Sequence, residues 1–194
     1  MGKRKLPVCA CSKAGYILEG AIASDPMKLL LSIVLLAAVI PSAMPADTGA
    51  EEARARLAAI PMKDKVNLSE DEWRKILTPE QFHVMRERGT ERPFSAKCLN
   101  IHQEGTFVCA ACENPLFEAG AKFESGTGWP SFTQAVSSER VKIVKDTSHG
   151  MIREEVNCAR CGSHLGHVFH DGPPPTGLRY CMNGVALKLK EKRE

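Results

Sequence analysis

The sequence lacks an excess of charge of either sign. Its 26 Lys and Arg stand against 23 Asp and Glu, a formal net charge of +3. The basic residues are spread too evenly to form the patch that neutralises phosphates, so no nucleic-acid partner is implied. It also lacks a glycine- or proline-dominated composition, with 15 Gly and 12 Pro among 194 residues. With 43% hydrophobic and 25% charged residues, disordered and collagen-like chains are excluded and a core can form. No internal repeat and no low-complexity tract is present. At 194 residues the chain has room for one domain and an appendage.

The apolar run LLLSIVLLAAVI, from Leu29 to Ile40, is too short for an ordinary bilayer-spanning helix, which needs about 20 residues. Preceded by Met27 and Lys28 and ended by Pro41, it suits the apolar region of a secretory signal. Residues 1–26, with Cys9 and Cys11, are then an extended basic leader or lie upstream of the true start. Ala43 and Ala46 are acceptable last residues before cleavage, although Pro41 and Met44 stand two residues before them, where small residues are preferred. An uncleaved anchor and a buried core helix are the alternatives. The expected organisation is an N-terminal extension over 1–46 with the signal-like segment at 27–43, a linker over 47–67, a domain over 68–190 and a charged tail over 191–194. The protein is expected to be exported, periplasmic or membrane-tethered, with a cytoplasmic location as the alternative.

Within the domain, Ser69 and Glu72 form a capping box that opens a short helix through Leu77. Thr78, Pro79 and Gln81 open a second helix, which Gly89 is expected to stop in a left-handed conformation. Short β-type segments follow at Val141–Val144, Met151–Val156 and Val185–Lys190, with no alternation of strands and helices. An antiparallel, mainly β fold is predicted.

What is abundant is cysteine: eight residues, six of them from Cys98 onward. Cys109-Ala-Ala-Cys112 and Cys158-Ala-Arg-Cys161 share one spacing, and 45 residues separate them. Two such knuckles complete the four-sulfur shell that structural zinc prefers, here joining two distant hairpins. Two disulfides or a redox-active pair are the alternatives. In Arg179-Tyr-Cys181-Met-Asn183, an extended chain would turn Arg179, Cys181 and Asn183 to one face. A guanidinium beside a thiol favours the thiolate, and an amide can hold a bound oxygen, so the triplet fits a nucleophilic cysteine. His164 and His167, just past the second knuckle, are candidate proton donors. Each histidine taken alone also reads as a ligand or surface residue, and Cys181 as a buried hydrophobe.

The segments GTERPFS, FVCAACENPLF, KFESGTGWPSF, DTSHGM and CARCGSHLGHVFHDGPPPTGLRYCMNG together resemble the B-type peptide methionine-R-sulfoxide reductases, from about Leu68 to Leu189. The resemblance implies two twisted antiparallel sheets with short N-terminal helices, stapled by one structural zinc on Cys109, Cys112, Cys158 and Cys161. It implies Cys181 as nucleophile, with His164, His167, Asp171, Arg179 and Asn183 around it. Trp129 would pack against the substrate methyl group, with Phe169 and His149 near that pocket. The substrates would be oxidised proteins or peptides, the reductant a thioredoxin-like dithiol, and the protein a monomer.

The chemistry agrees with this resemblance. A sulfoxide sulfur becomes electrophilic when its oxygen is protonated or strongly hydrogen-bonded, so a thiolate and an acid must converge on one S=O group. Attack releases methionine and leaves a sulfenic acid on Cys181. Many family members carry a resolving cysteine where this chain has Thr127, and Thr127 cannot form a disulfide. Cys98 is the expected replacement, with direct reduction by an external thiol as the alternative. A different class of function, a non-catalytic zinc-stapled protein-binding module, would keep the knuckles and dispense with the reactive cysteine.

Overall fold

The computed structural model describes residues 48–99 and 103–192, apart from the side chain of His149. The signal-like segment therefore lies outside the described residues, as do Cys9 and Cys11. Among the described residues no helix is long and apolar enough to cross a membrane.

Helix α1 (Thr48–Ala59) is followed by α2 (Glu70–Ile76) and α3 (Pro79–Met85). Both expected capping boxes form. Ser69 Oγ accepts from Glu72 N at 3.3 Å while Ser69 N donates to Glu72 Oε2 at 2.8 Å. The Thr78/Gln81 pair repeats the arrangement at 3.1 and 3.2 Å. Pro79 disfavours helical geometry at Thr78, so α2 must end before α3 begins. The left-handed residue after α3 is Arg88 (φ 60°), not Gly89. The Arg88 guanidinium is held by Glu155, and a Cβ on Gly89 would lie 2.4 Å from the exposed His83 ring, which would have to swing aside.

The segment expected as a linker over 47–67 is packed onto the domain from Thr48 onward. Ala50 and Ala53 of α1 are buried, and Arg56 pairs with Glu72 of α2. Beyond the helix, Arg160 donates to the carbonyls of Ile60 (2.8 Å) and Pro61 (3.3 Å), and Val66 N donates to Arg160 O at 2.9 Å. A residue inside the second knuckle thus ties this segment down, a long-range contact that local composition does not encode.

Strands β1 (Gly105–Cys109), β2 (Pro115–Glu118), β3 (Lys122–Phe123), β4 (Ser131–Phe132), β5 (Val141–Asp146), β6 (Arg153–Cys158), β7 (His164–Phe169), β8 (Arg179–Met182) and β9 (Leu187–Glu191) form two sheets. One has the order β2-β1-β9 and the other β3-β4-β8-β7-β6-β5, and the pairings are antiparallel. The fold is mainly β, as the sequence predicts. Met151 and Ile152, expected within a strand, precede β6 and are exposed, and β9 takes in Glu191 from the expected tail. The core lies where the sheets meet. Phe107 of β1 and Phe117 of β2 pack on Phe132 of β4, with ring centroids 5.2 and 4.5 Å apart, and Tyr180 of β8 lies 5.6 Å from Phe117. Aromatic side chains bury more apolar area than any other kind, so this cluster is a main source of hydrophobic stabilisation between the sheets.

Candidate active site

The two knuckles come together at the ends of β1 and β6. Their four sulfurs lie within 4.8 Å of one another and all four residues are buried. Cys109 and Cys161 are 3.8 Å apart at sulfur, and Cys112 and Cys158 3.6 Å. A disulfide would bring sulfurs to about 2.05 Å, whereas four metal–sulfur bonds of about 2.3 Å in a tetrahedron space them by about 3.8 Å. The four thiols therefore fit a metal ion and not a pair of disulfides. Asn114 Nδ2 donates to Cys158 Sγ at 3.5 Å, and Ser163 Oγ lies 3.3 Å from Cys161 Sγ, the outer contacts that orient thiolate ligands.

Cys181 occupies the middle of the larger sheet. On β8 Tyr180 and Met182 point into the core, while Arg179 and Cys181 share the opposite, partly exposed face. In register, Cys181 is opposite His167 of β7 on one side and Ser131 of β4 on the other, and Phe169 is opposite Arg179. Gly166 makes this approach possible, because a Cβ there would lie 2.2 Å from the carbonyl oxygen of Cys181. Arg179 grips Asp171 through two bonds of 2.9 and 2.8 Å and lays its guanidinium over the Phe169 ring at 4.4 Å. Burial pushes the Cys181 thiol up, against the pull of Thr127, then Arg179 and Ser131. The guanidinium acts in the expected direction, but burial outweighs it.

The two histidines are held differently. His167 Nε2 is 2.9 Å from Asp146 Oδ2, and Asp146 also accepts from Ser148 N (3.0 Å) and Arg153 (2.8 Å). Those bonds, the Ser148 N–H foremost, keep the Asp146 carboxyl well below the usual carboxylate range. His164 is buried with Nδ1 2.7 Å from Glu155, and the two imidazole centroids are 5.5 Å apart. Burial lowers the His164 pKa and favours the neutral ring, although Glu155 pulls toward the imidazolium.

Other expected site residues are not gathered on the sulfur. The strand ends at Met182, so Asn183 does not continue the alternation. It is buried, accepts from Glu91 N at 3.0 Å and donates to Leu165 O at 3.1 Å. Cys98 is buried with Sγ 4.0 Å from Gly184 O, and its thiol is pushed up to about 11 by burial and the neighbouring Glu91. It is not bonded to Cys181. Trp129 donates its indole N–H to Glu91 O at 3.2 Å and, with Phe94, Leu99 and Phe123, lines a cavity of about 240 Å³. The side chain of His149 lies outside the described residues.

A family model described as the SelR domain matches residues 77–191. The chain belongs to the MsrB family. It is 60% identical over 129 residues to the peptide methionine sulfoxide reductase MsrB of Bradyrhizobium diazoefficiens, covering 66% of this chain and 93% of that protein. The protein of the same name from Methanosarcina barkeri is 58% identical over 129 residues (66% and 91%), and that from Pseudomonas entomophila 53% over 128 residues (66% and 98%).

Several residues around the sulfur of this MsrB-family chain escaped sequence reasoning. Asp146 is the partner of His167, and Glu155 that of His164. Thr127, noted only as unable to form a disulfide, has its hydroxyl 3.8 Å from Cys181 Sγ. Asp146-Thr-Ser148 is a turn signal that marks a strand end, but only the β5–β6–β7 pairing carries it to His167.

Proposed function

We propose that the chain reduces methionine-R-sulfoxide, chiefly within oxidised proteins and peptides, with Cys181 as nucleophile. The observation that carries this reading is the placement of one half-exposed thiol in the centre of a sheet, directly across from His167 and beside Arg179 and Thr127. The thiolate attacks the sulfoxide sulfur while His167, oriented by Asp146, gives a proton to its oxygen. The methionine sulfur gains two electrons and leaves as thioether. The Cys181 sulfur loses two and keeps the oxygen as sulfenic acid. His164, neutral and packed on His167, keeps that imidazole in place. Arg179, clamped by Asp171, lends positive charge, and the Trp129 indole receives the methyl group. Fixing the methyl in one slot and the oxygen at the imidazole selects one epimer.

Cys98 then attacks the sulfenic acid, forming a Cys98–Cys181 disulfide and releasing water, and a thioredoxin-like dithiol reduces the disulfide. Because Cys98 now faces Gly184, this step requires the segment around it to move. One structural zinc ion on Cys109, Cys112, Cys158 and Cys161 would hold the two knuckles together and take no part in the redox step. The role is repair of oxidised protein by a monomer exported through the signal-like segment at 27–43, either released or left as an anchored form.

Turnover of a racemic sulfoxide peptide with dithiothreitol and with thioredoxin tests the reading. Wild type should stop near half conversion, and Cys181→Ser should be inactive with both reductants. Cys98→Ser should release one methionine per enzyme but fail to cycle with thioredoxin. Full conversion of the racemate, or activity in Cys181→Ser, would refute it.

A further inference from the structure

Three side-chain hydroxyls lead in a line to the sulfur of Cys181. Ser131 Oγ is 2.7 Å from Ser125 Oγ, Ser125 Oγ is 2.8 Å from Thr127 Oγ1, and Thr127 Oγ1 is 3.8 Å from Cys181 Sγ. At the far end the fully buried Ser131 Oγ also lies 3.2 Å from the carbonyl oxygen of Trp129. Thr127 N, at 3.4 Å, supplies Ser125 Oγ with a further donor.

A hydroxyl carries one proton and can donate once while accepting twice. When Cys181 is a thiolate, Ser131 can donate to Ser125, Ser125 to Thr127, and Thr127 to the sulfur. When Cys181 is a thiol, the same three hydroxyls can turn round. The S–H then donates to Thr127, Thr127 to Ser125, Ser125 to Ser131, and Ser131 to the carbonyl of Trp129. Every proton keeps an acceptor in both directions, so neither protonation state of the sulfur leaves an unpaired donor in the sheet.

We propose that Ser131, Ser125 and Thr127 form a reversible hydroxyl chain that ends on Cys181 and favours its thiolate, with Thr127 as a catalytic residue in contact with the reacting sulfur, Ser125 as a positioning residue, and Ser131 as the buried link that faces Cys181 across the ladder. The proposal rests on the reading of Cys181 as the nucleophile. It answers a difficulty that the rest of the site leaves open. Burial works against the thiolate, and the charged groups facing the sulfur divide their bonds between it and other partners. On β8 the Arg179 guanidinium favours the thiolate but spends two of its bonds on Asp171 and lies over Phe169. On β7 the Nε2 of His167 is committed to Asp146. On the β4 side the hydroxyls supply a further donor, and the Thr127 hydrogen bond is the largest single influence acting against burial. Hydrogen bonds in line polarise one another, so Ser125 strengthens the last bond without touching the sulfur, while Ser131, directly across the ladder from Cys181, also favours the thiolate itself.

The test is the pH dependence of Cys181 alkylation by iodoacetamide in the reduced, metal-loaded protein, followed by mass spectrometry of the Cys181 peptide. A hydrogen bond to a charged group has an effect of about one pK unit, so Thr127→Val should raise the midpoint by about one pH unit and slow alkylation about tenfold below it. Thr127→Ser should restore the wild-type profile, and Ser125→Ala should raise the midpoint by less than Thr127→Val. A Thr127→Val profile that superimposes on wild type overturns the proposal. So does an unmoved midpoint in Ser125→Ala, which also decides the matter alone if Thr127→Val does not fold. Alkylation reads the thiol itself and needs no turnover. Activity surviving in Cys181→Ser would instead refute the nucleophile assignment, a result distinguishable from failure of the chain.

Discussion

The four cysteines of the knuckles and Cys181 belong to one small fold, yet their surroundings differ in kind. The knuckle sulfurs sit at two strand ends and in the turns beyond them, buried against one another at 3.6 to 3.8 Å, with few polar neighbours beyond Asn114 and Ser163. Cys181 sits mid-strand, alone as a sulfur, ringed by a hydroxyl, a guanidinium and an imidazole on three different strands or loops. A closed shell of four thiols satisfies itself and leaves no site for a substrate. A single sulfur with donors on several sides cannot hold a metal but can change its protonation and accept an oxygen. The same residue type is placed to bind a metal in one site and, on the function proposed above, to act as a nucleophile in the other, because of what was brought against it.

The largest expected effect tests the closed half of that contrast. Cys109→Ser should lose bound metal and lower the Tm by roughly 10 °C or more, since the binding energy of such a site is folding energy. Metal analysis and calorimetry check it, and a metal-free variant with wild-type Tm and activity would break the comparison. The open half should respond the other way. His167→Gln should lower kcat about 10²- to 10⁴-fold, the usual contribution of a positioned proton donor, while the Tm moves little. Asp146→Asn, which leaves the imidazole in place, should cost less than His167→Gln. A Tm loss in His167→Gln comparable to that of Cys109→Ser would mean that the two regions do not divide stability and chemistry as argued.

Both regions were legible in the sequence to the extent that their chemistry is local. The knuckle spacing is a four-residue pattern, and the two capping boxes close within three residues, so each could be read directly. The alternation that places Arg179 and Cys181 on one face holds while β8 lasts and fails at Asn183, one residue past its end. What could not be read came from pairing across the sheet. Thr127 and Cys181 are 54 residues apart, Asp146 and His167 21. Strand β7 carries a glycine and two histidines in six residues and gives little β-type signal of its own. The docking of residues 60–66 draws on Arg160, about a hundred residues downstream. Long-range contacts of this kind leave no periodicity in the segment they capture.

The smallest expected effect separates the two regions by their response to acid. His164 has its pKa lowered by burial, so the unfolded chain binds its proton more readily than the folded one. Stability from this group is fully present above the unfolded value of about 6.5 and is lost as the pH falls from there toward the folded value. A metal held by thiolates is also released as the pH falls, because its ligands must be deprotonated, so acid weakens both halves in the wild type. His164→Asn offers an amide to Glu155 without a titrating ring and leaves the knuckles untouched. Its Tm should therefore fall less steeply than that of wild type between pH 7 and pH 5, while metal content follows the same curve in both proteins. Parallel Tm curves would show that the buried imidazole contributes nothing to acid sensitivity, and that the other titrating groups, the knuckle thiolates among them, account for it.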